Sequence, residues 1–111
     1  MHMRELKWTP GEKAIARKAF NRALQVELAA VMAEVKKKAE KIKEPSELWD
    51  LEEYLEKARR KIDRDYDYRY SVLPEVFGLL ICQGRLNVQE LMGLREDRLS
   101  MIHQIARFQT K

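Results

Sequence analysis

From Glu12 to Glu44 the chain contains neither proline nor glycine. No other feature limits its fold so tightly. A stretch that long, dominated by Ala, Glu, Lys, Arg and Leu, has one favourable regular form, the α-helix. The start is marked by Thr9-Pro10-Gly11-Glu12. Thr9 is placed to cap, Pro10 suits the first helical position, and Glu12 completes a capping box at the third. The helix expected from Pro10 to about Lys43 would be roughly 51 Å long at about 1.5 Å per residue. The whole chain has only 111 residues. A compact globule of that size is about 30 Å across, judged from its expected radius of gyration. The molecule must therefore be elongated.

Glu44-Pro45-Ser46 interrupts this helix, since proline cannot continue it and Ser46 can cap the next. A second helix is expected from about Glu47 to Tyr70. Its apolar residues Leu48, Leu51, Leu55, Ala58 and Ile62 recur at steps of three and four, which is heptad spacing. The first helix carries Phe20, Leu24, Leu28, Val31, Val35 and Ile42 at similar steps. A three-residue break between two long helices implies an antiparallel hairpin. One hairpin has one seam and leaves the rest of each helix wet. A second copy is expected to supply the missing layer, giving a homodimer with Leu24, Leu28, Val31, Val35 and Leu48 at its interface.

The pattern changes after Ser71-Val72-Leu73-Pro74. A residue that precedes proline is pushed away from helical angles, so a break is expected at Leu73. Val76, Phe77, Leu79, Leu80 and Ile81 form the most apolar stretch, and Gly84 is placed to end it. Asn87-Val88-Gln89-Glu90 is a second capping box, opening a short helix to Leu91 or Met92. A last helix carries Leu99, Ile102, Ile105 and Ala106 and ends near Phe108. The expected organisation is thus a disordered or extended N-terminus (1–9), a long helical hairpin for dimerisation and binding (10–73) and a small helical head (74–111). The fold class is all-α.

Several function classes are excluded or disfavoured. With only 4 Gly and 3 Pro, the chain lacks the punctuation of an all-β fold. Its longest apolar run, Val76 to Cys82, is far short of the roughly 18 residues that span a bilayer. No leader-like apolar segment opens the sequence, and Cys82 is the single cysteine, so a cytoplasmic protein without disulfides is expected. Cys82 reads as a small core residue. The histidines are His2, near the start, and His103, in the last helix. No set with metal-ligand spacing, no phosphate loop and no nucleophile–base set is present, so neither a cofactor nor enzymatic activity is expected. The carboxylates stand three and four residues from Lys or Arg, the pattern of exposed helical ion pairs. The net charge of +4 raises nucleic acid as a partner. Residues 1–56 carry 11 basic and 11 acidic side chains, and residues 57–111 carry 11 and 7. The excess is diluted by Asp63, Asp65 and Asp67 and forms no phosphate-tracking stripe. Neither nucleic acid nor membrane is the expected partner.

The informative face lies on the second helix. With Leu48, Leu51, Leu55, Ala58 and Ile62 in the seam, Trp49 points away from the hairpin partner. Around it stand Glu52, Glu53, Arg59 and Arg60. Trp and Arg are the types most enriched at binding hot spots. The competing reading packs Trp49 into a dimer seam and leaves the charges as helical pairs. Further on, Tyr66, Tyr68 and Tyr70 alternate with Asp65, Asp67 and Arg69, and are read as a polar junction between hairpin and head.

These residues carry a resemblance. Leu48-Trp49, Tyr54-Leu55, Arg59, Ile62-Asp63 and the run Tyr66-Asp67-Tyr68-Arg69-Tyr70-Ser71-Val72-Leu73 look like the signature of the fluorescence recovery protein family. Glu90-Leu91-Met92-Gly93-Leu94 with Asp97, Leu99 and Ile102 is similar to its C-terminal part. The likeness extends from about Trp8 onward. It implies a non-enzymatic, all-helical, dimeric regulator. Such a regulator binds the photoactivated orange carotenoid protein, speeds its return to the resting state and supports photoprotection. It also implies that Trp49, Glu53 and Arg59 belong to the functional patch. Where family members carry a His-Asp pair, this chain has Glu52-Glu53, replacing a titratable imidazole by a fixed anion. The alternative is a helical adaptor of the same type for a different protein, in a signalling context; a small DNA-binding regulator is the remoter one.

Overall fold

The computed structural model describes residues 7–109. The expectations for residues 1–6, His2 included, lie outside them. Helix α1 spans Pro10–Glu40, and its capping box is formed. Thr9 Oγ1 accepts from the Glu12 N–H and Glu12 Oε1 accepts from the Thr9 N–H, both at 3.1 Å. α1 stops at Glu40, short of Lys43, with Lys41 as its C-cap. Helix α2 spans Glu47–Asp65. Ser46 makes no side-chain cap. Glu47 Oε1 does the corresponding work, accepting from the backbone N–H of Lys43 at 2.6 Å and of Glu44 at 2.9 Å. The turn is thus closed by the first residue of the helix that follows it.

The second correction is at the far end of α2. The helix does not continue to Tyr70; its last backbone bond runs from the Tyr66 N–H to the Ile62 carbonyl, and Tyr66 turns out of helical angles. Helix α3, Leu73–Cys82, begins with Pro74 in its first turn, where the missing N–H costs nothing. It closes with paired bonds from Arg85 N–H to the Leu80 carbonyl and from Gly84 N–H to the Ile81 carbonyl. That closure needs a left-handed residue, and Gly84 supplies it at φ +78°. Asn87 and Glu90 cap a 3₁₀ turn, Val88–Leu91. Helix α4 spans Glu96–Gln109. The all-α class stands among the described residues.

The molecule measures 61 × 22 × 22 Å, with a radius of gyration of 17.3 Å against about 13 Å for a compact chain of this length. Its core occupies one end. Ala16, Ala19, Phe20 and Ala23 of α1 meet Leu73, Val76, Phe77 and Leu80 of α3, with Leu86, Leu91, Leu94 and Ile102. Gly78 lets α4 approach α3, since a Cβ there would stand 2.6 Å from Ile105 Cγ2. Beyond Glu27 in α1 and before Asp65 in α2, neither helix has a fully buried residue.

The hairpin seam differs from the expected one. Leu48 is 51% exposed and Leu55 42%, while Leu51, Tyr54, Ala58 and Ile62 are half-buried. Spacing of three and four admits two neighbouring registers on one helix. Here Tyr54 takes part in the seam, its ring 5.1 Å from Lys38 Nζ on α1. α2 is thereby turned by a fraction of a turn, and Leu48 and Leu55 move onto a flank.

Candidate partner-binding face

The outward side of α2 carries Trp49, 66% exposed. Glu53, Glu56 and Arg60 follow it along the same side at helical spacing. Glu53 pairs with Lys57 at 3.5 Å and Glu56 with Arg60 at 2.9 Å. These exposed pairs order the face and contribute little to stability. Glu52 and Arg59 occupy the neighbouring stripe beside Leu48 and Leu55, and neither makes an ion pair with a described residue. The indole is therefore flanked by two kinds of charge: one set engaged in helical pairs and one set open. Of the residues singled out from the sequence, Trp49, Glu53 and Arg60 share one stripe, and Glu52 and Arg59 the adjoining one.

The residues assigned to a dimer interface spread differently. Leu24, Val31 and Val35 are half-buried, and Leu28 is 38% exposed. Met32 is 58% exposed. At about 100° per residue, Leu28 and Met32 lie up to a quarter-turn from the side of α1 that meets α2. Leu48 and Leu55 lie about as far from the side of α2 that meets α1. Because the helices run antiparallel, both steps lead to the same side of the hairpin, away from the face of α1 that the head covers. An apolar stripe results on the half of the molecule that has no core.

Three acids are buried: Glu12, read from the sequence as a cap, and Glu27 and Asp65, which the general reading of the carboxylates left on exposed helix faces. Glu12 Oε2 accepts from the Arg95 N–H at 2.9 Å and from Arg98 Nε at 3.2 Å, tying the start of α1 to the start of α4. Burial alone would raise its pKa. The backbone donors of Arg95 and Thr9 and the Arg98 guanidinium outweigh that and hold it below the usual range. Glu27 likewise stays low against its burial, because Arg85 Nε donates at 2.9 Å, Lys61 lies 3.7 Å away and the Tyr66 hydroxyl donates at 3.1 Å. Burial pushes the Tyr66 phenol up, and the Glu27 carboxylate adds to it. Asp65 also stays low in spite of burial, held by Arg64, Lys61 at 3.2 Å and Gln83. These acids join the head to the hairpin.

The tyrosine run is not helical: Tyr66 stands at φ −107°, ψ 72°, and Tyr70 lies in the turn that leads into α3. Tyr66, Tyr68 and Tyr70 form a file of ring contacts beside Phe20 of α1. The rings of Tyr66 and Tyr68 meet Phe20 at 5.6 and 4.8 Å, Tyr68 meets Tyr70 at 5.4 Å, and Tyr70 meets Trp8 at 5.3 Å. Cations cover the file: Arg17 stands 3.7 Å from the Tyr68 ring centre and Lys13 5.3 Å from that of Tyr70. The signal was present in the strict alternation of Asp, Tyr and Arg, which is a strand period rather than a helical one.

Among the described residues no His, Cys, Asp and Glu group could hold a metal ion, and no helix is long and apolar enough to cross a membrane. His103 is exposed on α4 and Cys82 is half-buried at the end of α3. The fold is that of an elongated, all-helical protein. The chain belongs to the fluorescence recovery protein family, a family of photoprotection regulators whose profile matches residues 8–106. It is 36% identical over 103 residues to the fluorescence recovery protein of Synechocystis sp. strain PCC 6803, covering 93% of this chain and 94% of that one. The solved structure of the Fremyella diplosiphon fluorescence recovery protein is similar at a TM-score of 0.86 and 40% identity, over 91% of this chain and 99% of that one. The Synechocystis structure gives the same TM-score and coverage at 36% identity.

Proposed function

We propose that this chain is a non-enzymatic cytoplasmic regulator that acts as a homodimer. Its partner in this reading is the photoactivated orange carotenoid protein, whose return to the resting state it speeds. The observation that carries the proposal is Trp49, largely exposed at the outermost position of α2 among Glu52, Glu53, Arg59 and Arg60. Trp49 is the apolar anchor, Glu52 and Glu53 are the acidic contacts, and Arg59 and Arg60 the basic ones. Glu53 and Arg60 are preset by their helical pairs. Arg59 is open to a partner's carboxylate. Membership in a family of photoprotection regulators supports this choice of partner.

The dimer in this proposal buries the stripe of Leu28, Val31, Val35 and Leu48, with Leu24 at its edge. Support comes from the exposure of Leu28 and Leu48 and from the absence of core in the half of the hairpin that carries them. The expected solution mass at micromolar concentration is that of two chains; a single-chain mass would remove this part of the reading. Trp49→Ala and Arg59→Glu should each abolish or strongly weaken co-elution with photoactivated orange carotenoid protein and slow its recovery, while leaving the dimer intact. Unchanged co-elution would sink the patch assignment. Glu52, a fixed anion where the family resemblance implies a histidine, favours one second reading. If the intact dimer leaves the carotenoid protein unbound, the same face serves a different protein.

A further inference from the structure

At the head end of the molecule is a cleft of about 590 Å³, lined by Lys7, Trp8, Lys13, Tyr70, Glu75 and Arg98, among others. Its volume lies within the roughly 300–1,000 Å³ typical of small-molecule sites. Three cations and one acid line it, a net excess of two positive charges. Lys7 and Lys13 make no ion pair with a described residue. Two of the cations are already seated on aromatic faces. Arg98 stands 4.2 Å from the Trp8 ring and Lys13 5.3 Å from the Tyr70 ring. Glu12 fixes Arg98 from below, so its position is set before any ligand arrives.

The cleft lies beside the first turn of α1, whereas Trp49 lies at the opposite end of the hairpin. About thirty residues of α1 separate the two levels, roughly 45 Å at about 1.5 Å per residue. The two surfaces are separate sites. We propose that the cleft binds a small organic anion carrying a flat ring, of the size and chemistry of a mononucleotide. Trp8 and Tyr70 pack on each other at 5.3 Å with Arg98 and Lys13 over their rings, so the ligand's ring takes the Tyr70 face as Lys13 swings from it to the ligand's anionic group. Lys7 and Lys13 offer charge for a phosphate or carboxylate. Glu75 accepts from a hydroxyl or amino group on the ligand, which a bare aromatic acid does not provide.

The test is titration of the full chain with AMP, adenosine and inorganic phosphate as separate probes, followed by amide chemical-shift changes. AMP should perturb residues around Trp8, Tyr70 and Arg98 and saturate at a dissociation constant of millimolar or below. Adenosine and phosphate should each bind at least about tenfold more weakly, because each satisfies half of the site. Lys13→Gln, an exposed change that keeps the fold, should weaken AMP about tenfold. Trp49→Ala should leave it unchanged. No saturable shift with AMP overturns the proposal, as does phosphate binding equal to AMP, which would mean a site for inorganic anions only. Shifts unaffected by Lys13→Gln would equally overturn it. Because the readout needs no carotenoid protein, failure here is distinguishable from failure at the Trp49 face.

Discussion

Glu12 shows how much one side chain can hold. One carboxylate oxygen caps α1; the other receives a backbone N–H and a guanidinium from the start of α4. Glu12→Gln removes the charge from a buried, charge-assisted set and should cost about 2 kcal/mol of unfolding free energy, read by urea titration. The pH dependence follows from the same geometry. Glu12, Glu27 and Asp65 all titrate below their ordinary values of 4.5, 4.5 and 3.8. The stability they contribute is whole above those values and is lost as pH falls through the lower folded-state ones. Thermal melting temperature should therefore fall steeply below about pH 4.5, with a shallower fall in Glu12→Gln. An equal slope in both proteins would mean that Glu12 is not part of the acid response. The capping role of Glu12 was legible from Thr9-Pro10-Gly11-Glu12. Its second role was not, because nothing local records that Arg95 and Arg98 fold back onto it from the other end of the chain.

At the scale of elements, most of the local signals held, although Ser46 does not cap α2. Both capping boxes and the glycine that closes α3 are present as the sequence implied, whereas the break expected at Leu73 falls earlier, after Asp65, and Leu73 itself opens α3. Each depends on neighbours within a few residues. The seam of α2 depends on what lies across from it, and the leucine spacing alone did not exclude a small rotation. Trp49 survives that rotation on the outside because it began near the middle of the outer face. Leu48 and Leu55 did not stay inside, because they began at the seam's edge. The contact of α3 with α4 gives a sharp test. Gly78→Ala places a methyl group 2.6 Å from Ile105 Cγ2 and 3.2 Å from the Ile102 carbonyl, and should destabilise the head by about 1–3 kcal/mol. Helix propensity alone would make the same change stabilising, so the sign of the effect in a denaturant titration decides between them.

For the whole molecule, the division between a cored end and a coreless end governs dynamics. Amides of the hairpin between about Val31 and Leu55 should exchange with solvent faster than those of α3, whose backbone is covered by the core. If a second copy covers the apolar stripe, that exchange should slow as protein concentration rises, while exchange in α3 stays constant. Concentration-independent exchange along the hairpin would speak against a dimer built on this stripe.

The absence of fully buried residues from the far part of the hairpin has a consequence for how such a chain can change over generations. Substitutions in α3 or α4 must satisfy neighbours on several sides at once. Those on the outer side of α2 answer to almost nothing within their own chain. A lineage can therefore retune whom this face greets, one surface residue at a time, without putting the fold at risk. The Glu52-Glu53 pair stands on that permissive ground.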